Sequence, residues 1–171
     1  MKAVEPPDSF HIQAARSLLE EGNYAAARDE LGQIASGARL HPDVLEVRWG
    51  IEAQTGDWPL CLEIAQTLIT VVPERPSGWI KRSYVLHRLK RSQEALDGLF
   101  PVVEKFSKIA IIPYNLACYA AQLGCFWEAE RWLKQALEIG GDDYRKMAAR
   151  DRDLATLWKW MEGQSLARHQ E

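Results

Sequence analysis

The side chains with chemistry to offer are few and scattered. Catalysis needs a nucleophile, a base or a metal set whose members converge, and spacing along the chain is where a sequence shows it. His11, His41, His87 and His169 share no ligand-type spacing, and Cys61, Cys118 and Cys125 form no CxxC pair. One grouping, Cys118 and Cys125 with His87, has the donor types of a metal or redox site. The competing account is structural: Cys118 is a small packing residue, and Cys125 a turn residue beside Phe126. No glycine-rich phosphate loop and no nucleophile elbow occur. The chain therefore reads as a non-enzyme with no metal and no cofactor.

Two further features invite a functional reading. From Asp142 to Asp153, four aspartates are mixed with Arg145, Lys146, Arg150 and Arg152 at helical spacings, the pattern of a solvated face with local ion pairs. Trp127, Trp132, Trp158 and Trp160 suit a contact surface, since Trp is enriched in interface hot spots, but helix packing accounts for them equally well.

Composition narrows the partner classes. A chain of 171 residues fits one domain with a core that needs neither disulfides nor metals, and 47% apolar with 26% charged residues is the balance of a globular protein. With 21 Lys and Arg against 24 Asp and Glu, the net charge of −3 gives no reason to seek nucleic acid or anionic lipid. Met1 to Phe10 lacks an apolar stretch of signal-peptide length, and no run reaches membrane-spanning length. The odd cysteine count suits a reducing compartment, so the expected location is the cytoplasm.

The elements that position these residues follow a period. Gly22, Gly56 and Gly124 lie at multiples of 34 residues, with Lys90 in the missing place. Two residues further come Tyr24, Trp58, Ser92 and Phe126, then a small column of Ala27, Cys61, Ala95 and Ala129. Leu31, Ala65, Leu99 and Leu133 follow, and then Ile34, Leu68, Val102 and Ala136. A glycine before a short polar break ends one helix, the small column lets two helices approach, and the Leu-type columns fill their interface. Each unit is helix, tight turn, helix, and one pair alone leaves an apolar face that its neighbour must cover.

This pattern resembles the tetratricopeptide repeat, whose hallmarks are a 34-residue period, a small residue in the first helix, a Gly-x-aromatic turn and Ala in the second helix. The fourth copy carries Asn115, Leu116, Ala117, Gly124, Phe126 and Ala129 in family places, and the first carries Ala15, Gly22, Tyr24 and Ala27. The resemblance spans residues 8 to 143. It implies an all-α, right-handed superhelical α-α solenoid of stacked helix-turn-helix repeats: an extension over 1–7, copies over 8–41, 42–75, 76–109 and 110–143, capping helices over 144–162 and a frayed tail over 163–171.

Two copies depart from the pattern. Strict register puts Arg48, Trp49 and Glu52 where a first helix buries small or apolar groups, whereas a one-residue shift places Val44, Val47 and Ile51 on the buried stripe. In the third copy, Lys90 replaces the turn glycine, and Pro101 after Gly98 predicts a bend or break in the second helix. Beyond the copies, Gly140-Gly141 predicts a break with Asp142-Asp143 capping a further helix. Asp151-Arg-Asp-Leu-Ala-Thr-Leu-Trp is similar to the Asp-x-Asp-Leu-x-x-Leu segment that often closes bacterial proteins of the family. Leu154, Leu157 and Trp158 are expected to pack over the last copy.

The resemblance also implies that first helices line a concave groove that grips a peptide. Projected from the columns, its inward residues are Gln13 and Arg16, Glu46, then Lys81, Tyr84 and Arg88, then Tyr114, Asn115, Cys118 and Gln122. Asn115 suits an extended backbone, Tyr84 stacking, and Lys81 with Arg88 a carboxylate. Relatives that clamp the acidic tails of heat-shock chaperones use Lys and Asn, then Asn, then Lys and Arg. The equivalent places here hold Ile12, Arg16, Val47, Ser77 and Lys81, or Glu46, Gly50, Lys81, Ile111 and Asn115, so no such clamp is expected. The implied function is a non-enzymatic module that binds another protein or peptide in the groove. The alternatives are a small secretion-type chaperone and a scaffold that self-associates through Trp127 and Trp132.

Overall fold

The computed structural model describes residues 3–168; His169 and the end of the expected frayed tail lie outside them. Nine α-helices and no strand are found among the described residues. They are α1 (Asp8–Glu20), α2 (Tyr24–Gly32), α3 (Pro42–Thr55), α4 (Trp58–Val71), α5 (Pro76–Arg88), α6 (Ser92–Leu99), α7 (Ile111–Gln122), α8 (Phe126–Ala148) and α9 (Ala155–Arg168). Short 3-10 turns occupy Ser36–Ala38, Phe100–Val102 and Arg152–Leu154. None of the helices described is long and apolar enough to cross a membrane.

The glycine column makes the turns. Gly22, Gly56 and Gly124 have φ of 80°, 81° and 78°, and Lys90 in the same column has φ of 64°. Each turn is closed by an amide reaching five residues back: Asn23 to Leu18 at 2.8 Å, Asp57 to Glu52 at 3.0 Å, Arg91 to Leu86 at 2.9 Å and Cys125 to Ala120 at 2.9 Å. These bonds satisfy carbonyls at the end of the first helix, so the turn survives at Lys90 despite the steric cost of a Cβ at positive φ. The residue after each turn starts the second helix. Asn23 and Asp57 accept from the amides of Ala26 and Leu60, while Arg91 and Cys125 provide no side-chain cap.

The chain divides into two compact units, Met1–Val85 and Leu86–Glu171, where the sequence suggested one domain. The dividing line falls in α5, within the copy whose second helix, α6, is cut short at Leu99.

In the first unit, Ile12, Ala15, Ala27 and Ile34 pack with Val44, Val47 and Ile51 of α3, and Leu45, Ile64 and Leu68 form a second cluster bordered by Trp49 and Leu60. The stripe Val44, Val47 and Ile51 is buried, which resolves the register of the second copy. Glu52 is buried as well, with 5% of its surface exposed, and its charge is met by Arg28 of α2. Arg28 donates from Nε at 3.2 Å and Nη2 at 2.6 Å, the fork geometry that makes a buried carboxylate tolerable. Close packing of α5 on α4 depends on Gly78, where an added Cβ would stand 2.9 Å from the Ile69 amide nitrogen.

In the second unit, α6 gives way to the 3-10 turn at Phe100–Val102, where Pro101 removes an N–H from the helix ladder. The buried faces of α7 and α8 meet through Leu116, Ala117 and Ala120 against Ala129, Leu133 and Ala136, the small residues allowing close approach. Gly141 has φ of 63° and ψ of −146° and kinks α8 where the glycine pair predicted a break. Leu154 and Leu157 are fully buried, and the Trp158 indole donates to the Ala148 carbonyl at 3.1 Å. Helix α9 continues to Arg168, so the tail expected to fray from residue 163 is helical that far.

Candidate functional site

In the first unit, the spacing of α3 and α5 brings three of the expected groove residues together. Lys81 Nζ lies 2.9 Å from Glu46 Oε2, joining the two first helices, and 4.4 Å from the centroid of the Trp49 ring. The ammonium is thus held by a carboxylate on one side and an aromatic face on another. Tyr84, one helical turn beyond Lys81, is 40% exposed and meets the edges of Trp49 and Trp58 at centroid distances of 6.3 and 6.2 Å. Trp49 Nε1 is buried without an acceptor, so the ring contributes through its face and not its N–H. Trp49 and Trp58 join this cluster although neither is among the expected groove residues, since helical spacing marks Trp49 only as an awkward position on α3. Gln13 and Arg16 are exposed on α1.

In the second unit, the expected groove face of α7 is covered by the chain itself. The phenol of Tyr114 donates to Asp151 Oδ2 at 2.7 Å, Cys118 Sγ lies 3.7 Å from the same oxygen, and Gln122 donates from Nε2 to the Asp153 carbonyl at 3.0 Å. His87 Nε2 lies 3.1 Å from Asp153 Oδ2, its Nδ1 2.9 Å from Ser92 Oγ, and its ring 4.9 Å from that of Tyr119. Tyr114 and Cys118 are consequently buried, at 3% and 5% exposure, and do not line an open groove. Arg88 is exposed and Asn115 half-buried.

The segment Asp151–Leu154 also corrects the reading of the charged stretch. Arg145 and Asp142 do form an exposed local pair at 2.7 Å. Asp151 and Asp153, however, take partners outside the stretch, Tyr114 and His87, although the Asp153 side chain remains 44% exposed, and Asp151 caps the 3-10 turn by accepting from the Asp153 amide at 2.9 Å. The signal was the Asp-x-Asp-Leu motif itself, whose first aspartate starts the turn while its leucine is buried.

The titratable groups record these surroundings. Burial, followed by the hydrogen bond to Asp151, raises the Tyr114 phenol well above its ordinary range. Burial, followed by the charges of Asp151 and Asp153, does the same to the Cys118 thiol. Cys61 is pushed up to about 11, first by burial and then by Glu52 and Asp57. Both buried thiols therefore stay protonated at neutral pH and lack nucleophilic character. Cys118 is next to Asp151, Cys125 is exposed, and His87 is engaged by Ser92 and Asp153. No set of three His, Cys, Asp or Glu side chains suited to a metal occurs among the described residues.

The tryptophans sort clearly. Trp127 is 64% exposed, Trp132 is buried at 6%, and Trp158 and Trp160 are half-buried. Trp160 stacks on Phe126 at 5.7 Å and meets Trp127 edge-on at 4.6 Å. Trp132 packs inside against Phe100 and beneath Arg131 and is withdrawn as a surface residue.

No protein-family model matches the chain, and no curated protein does. Solved structures do. A MamA chain, residues 41 to the end, from Desulfovibrio magneticus RS-1 has a TM-score of 0.72 at 18% identity, with 99% of each chain covered. A crystal structure of MamA has a TM-score of 0.74 at 12% identity, covering 95% of this chain and 85% of that one. TTC0263, a thermophilic TPR protein of Thermus thermophilus, has a TM-score of 0.70 at 22% identity, covering 90% and 82%. At such identities the likeness is one of fold. The chain has a tetratricopeptide-repeat-like fold, all-α and of the solenoid type built from helix-turn-helix units, as the column pattern implied.

Proposed function

We propose that this chain is a non-enzymatic protein-interaction module that holds a peptide or partner protein against the first helices of its amino-terminal unit. The observation that carries this reading is the cluster of Lys81 with Glu46, Trp49 and the exposed ring of Tyr84. An ammonium has three donors, so Lys81 can take a ligand carboxylate while keeping Glu46, and Tyr84 offers a rigid amphipathic surface beside it. Gln13 and Arg16 extend the polar lining. The second unit supplies an internal example of the ligand chemistry: the α7 face is filled by a short acidic segment whose aspartates meet Tyr114, Cys118 and His87. An extended segment carrying Asp or Glu is accordingly the ligand that Lys81 and Tyr84 suit.

On this reading four helix pairs, over 8–41, 42–75, 76–109 and 110–143, form the module, and 144–162 closes it. The three free cysteines suit a reducing, cytoplasmic setting, and a net charge of −3 disfavours nucleic acid. The test is capture from lysate with the wild-type chain and with Lys81→Glu combined with Tyr84→Ala, checking helicity and melting temperature of both. Loss of a specific bound protein by a variant that folds normally supports the groove; unchanged capture removes it.

Exposed Trp127, backed by Trp160, supports a second reading, self-association through that aromatic patch. Light scattering distinguishes it. A dimer that Trp127→Ala dissociates is the expected result, and a monomer at every concentration rejects it.

A further inference from the structure

The misplaced charges of the second copy lead to a different surface. Val44, Arg48 and Glu52 follow at four-residue steps and share one stripe of α3. Arg48 lies about 200° around the helix axis from Glu46, so this stripe is turned away from the Lys81 cluster. It borders an open recess of about 290 Å³ between α2 and α3, small for a ligand site, whose usual range is roughly 300–1,000 Å³. Leu31 and Val44 give the recess apolar lining, while Arg28, Arg39 and Arg48 bring three guanidinium groups to it.

Charge bookkeeping decides what fits. Three arginines less the one carboxylate, Glu52, leave the lining with a charge of +2. Glu52 is already met by Arg28, whose Nη2 also donates to Thr55 at 2.9 Å. The excess therefore belongs to Arg39 and Arg48. Arg39 is oriented by its Nε, which donates to the Ile34 carbonyl at 3.2 Å, and Arg48 is exposed at the recess. Two guanidinium groups beside an apolar lining match a doubly charged head on a compact apolar body. A phosphate monoester carries about −1.5 to −2 at neutral pH and offers oxygens that guanidinium forks bind in pairs; a carboxylate carries half that charge.

We propose that the recess between α2 and α3 binds a phosphate monoester on a small apolar or aromatic group, with Arg39 and Arg48 taking the phosphate and the half-buried Leu31 the body. The shared chemistry belongs equally to a free organic phosphate and to a phosphorylated side chain. The site is independent of the groove reading and stands if that reading fails.

Titration of the full chain at low salt with phenyl phosphate, followed by amide chemical shifts, tests the site. Saturable shifts at Leu31, Gly32 and Val44 are expected, with binding at least about tenfold weaker in Arg39→Gln and in Arg48→Gln and at least about tenfold weaker for phenylacetate. Lys134→Gln is the charge control and should leave binding unchanged. A phosphotyrosine peptide that binds at least about tenfold tighter than phenyl phosphate assigns the phosphate to a protein partner, and equal affinity assigns it to a free small molecule. Absence of saturation by about 10 mM, phenylacetate binding as tightly as phenyl phosphate, or shifts located elsewhere in the wild-type chain would overturn the proposal. The wild-type shift map needs no variant, so it decides even if an arginine substitution impairs folding.

Discussion

The phenol of Tyr114 donates a 2.7 Å hydrogen bond to Asp151, a residue 37 places further along the chain. This bond fastens an acidic turn across the face of α7, and the thiol of Cys118 borders the same carboxylate oxygen. A first-helix face that column projection marks as open is thereby closed from within.

Tyr114→Phe removes the donor and leaves the shape. Hydrogen bonds to charged groups contribute about 1.5–3 kcal/mol. The variant should lose stability of that order in urea denaturation, and amides of residues 151–154 should exchange faster. Wild-type exchange there would show that Leu154 and Leu157 hold the segment without the bond.

Lys90 holds the left-handed turn that glycine holds in three other copies. Positive φ costs a residue with a Cβ about 1–2 kcal/mol, partly offset by the greater unfolded-state freedom of glycine. Lys90→Gly should therefore raise the denaturation midpoint, by roughly 0.5–1 kcal/mol in stability. Gly56→Ala should lower it; the opposite pair of signs would refute the account.

The Arg28 and Glu52 pair makes a prediction about non-additivity. Arg28→Met strands a buried carboxylate and should cost about 1–3 kcal/mol, less than a fully buried pair because Arg28 is 44% exposed. Glu52→Leu added to Arg28→Met should recover part of that loss. A double variant that simply sums two losses would argue that Glu52 does not depend on Arg28.

The three thiols should separate by accessibility. Cys125 is exposed and should react with a disulfide reagent near neutral pH, while buried Cys61 and Cys118 should wait for unfolding. Because the folded state holds the Cys61 proton up to about 11 against an ordinary value of 9.0, the unfolded chain binds fewer protons in that interval. Stability should thus fall as pH rises from about 9 to about 11, and Cys61→Ser should reduce that slope. Three equally fast thiols in the native protein would contradict the burial.

Gly78→Ala places a Cβ 2.9 Å from the Ile69 amide nitrogen, against backbone that has little room to yield. A loss of about 1–3 kcal/mol is expected from thermal denaturation. An unchanged melting temperature would mean that α5 shifts freely on α4.

The sequence by itself determined the helix pairs. Turn geometry and neighbour packing recur each time the same residue types come round, so the glycine column, the small column and Pro101 with Gly98 were legible as turns, close contacts and a broken helix. Val44, Val47 and Ile51 were legible too, because helical spacing records which side of α3 is buried. Only the tertiary structure decided where charge goes. Glu52 is buried because Arg28, 24 residues earlier, reaches it with two nitrogens. Asp151 is met by Tyr114 and Cys118, and Asp153 by His87, all of them more than 30 residues earlier in the chain. Such pairings join residues of different helices through side-chain reach, which leaves no period in the chain, and a carboxylate that will be buried has the same letter as one that stays in water.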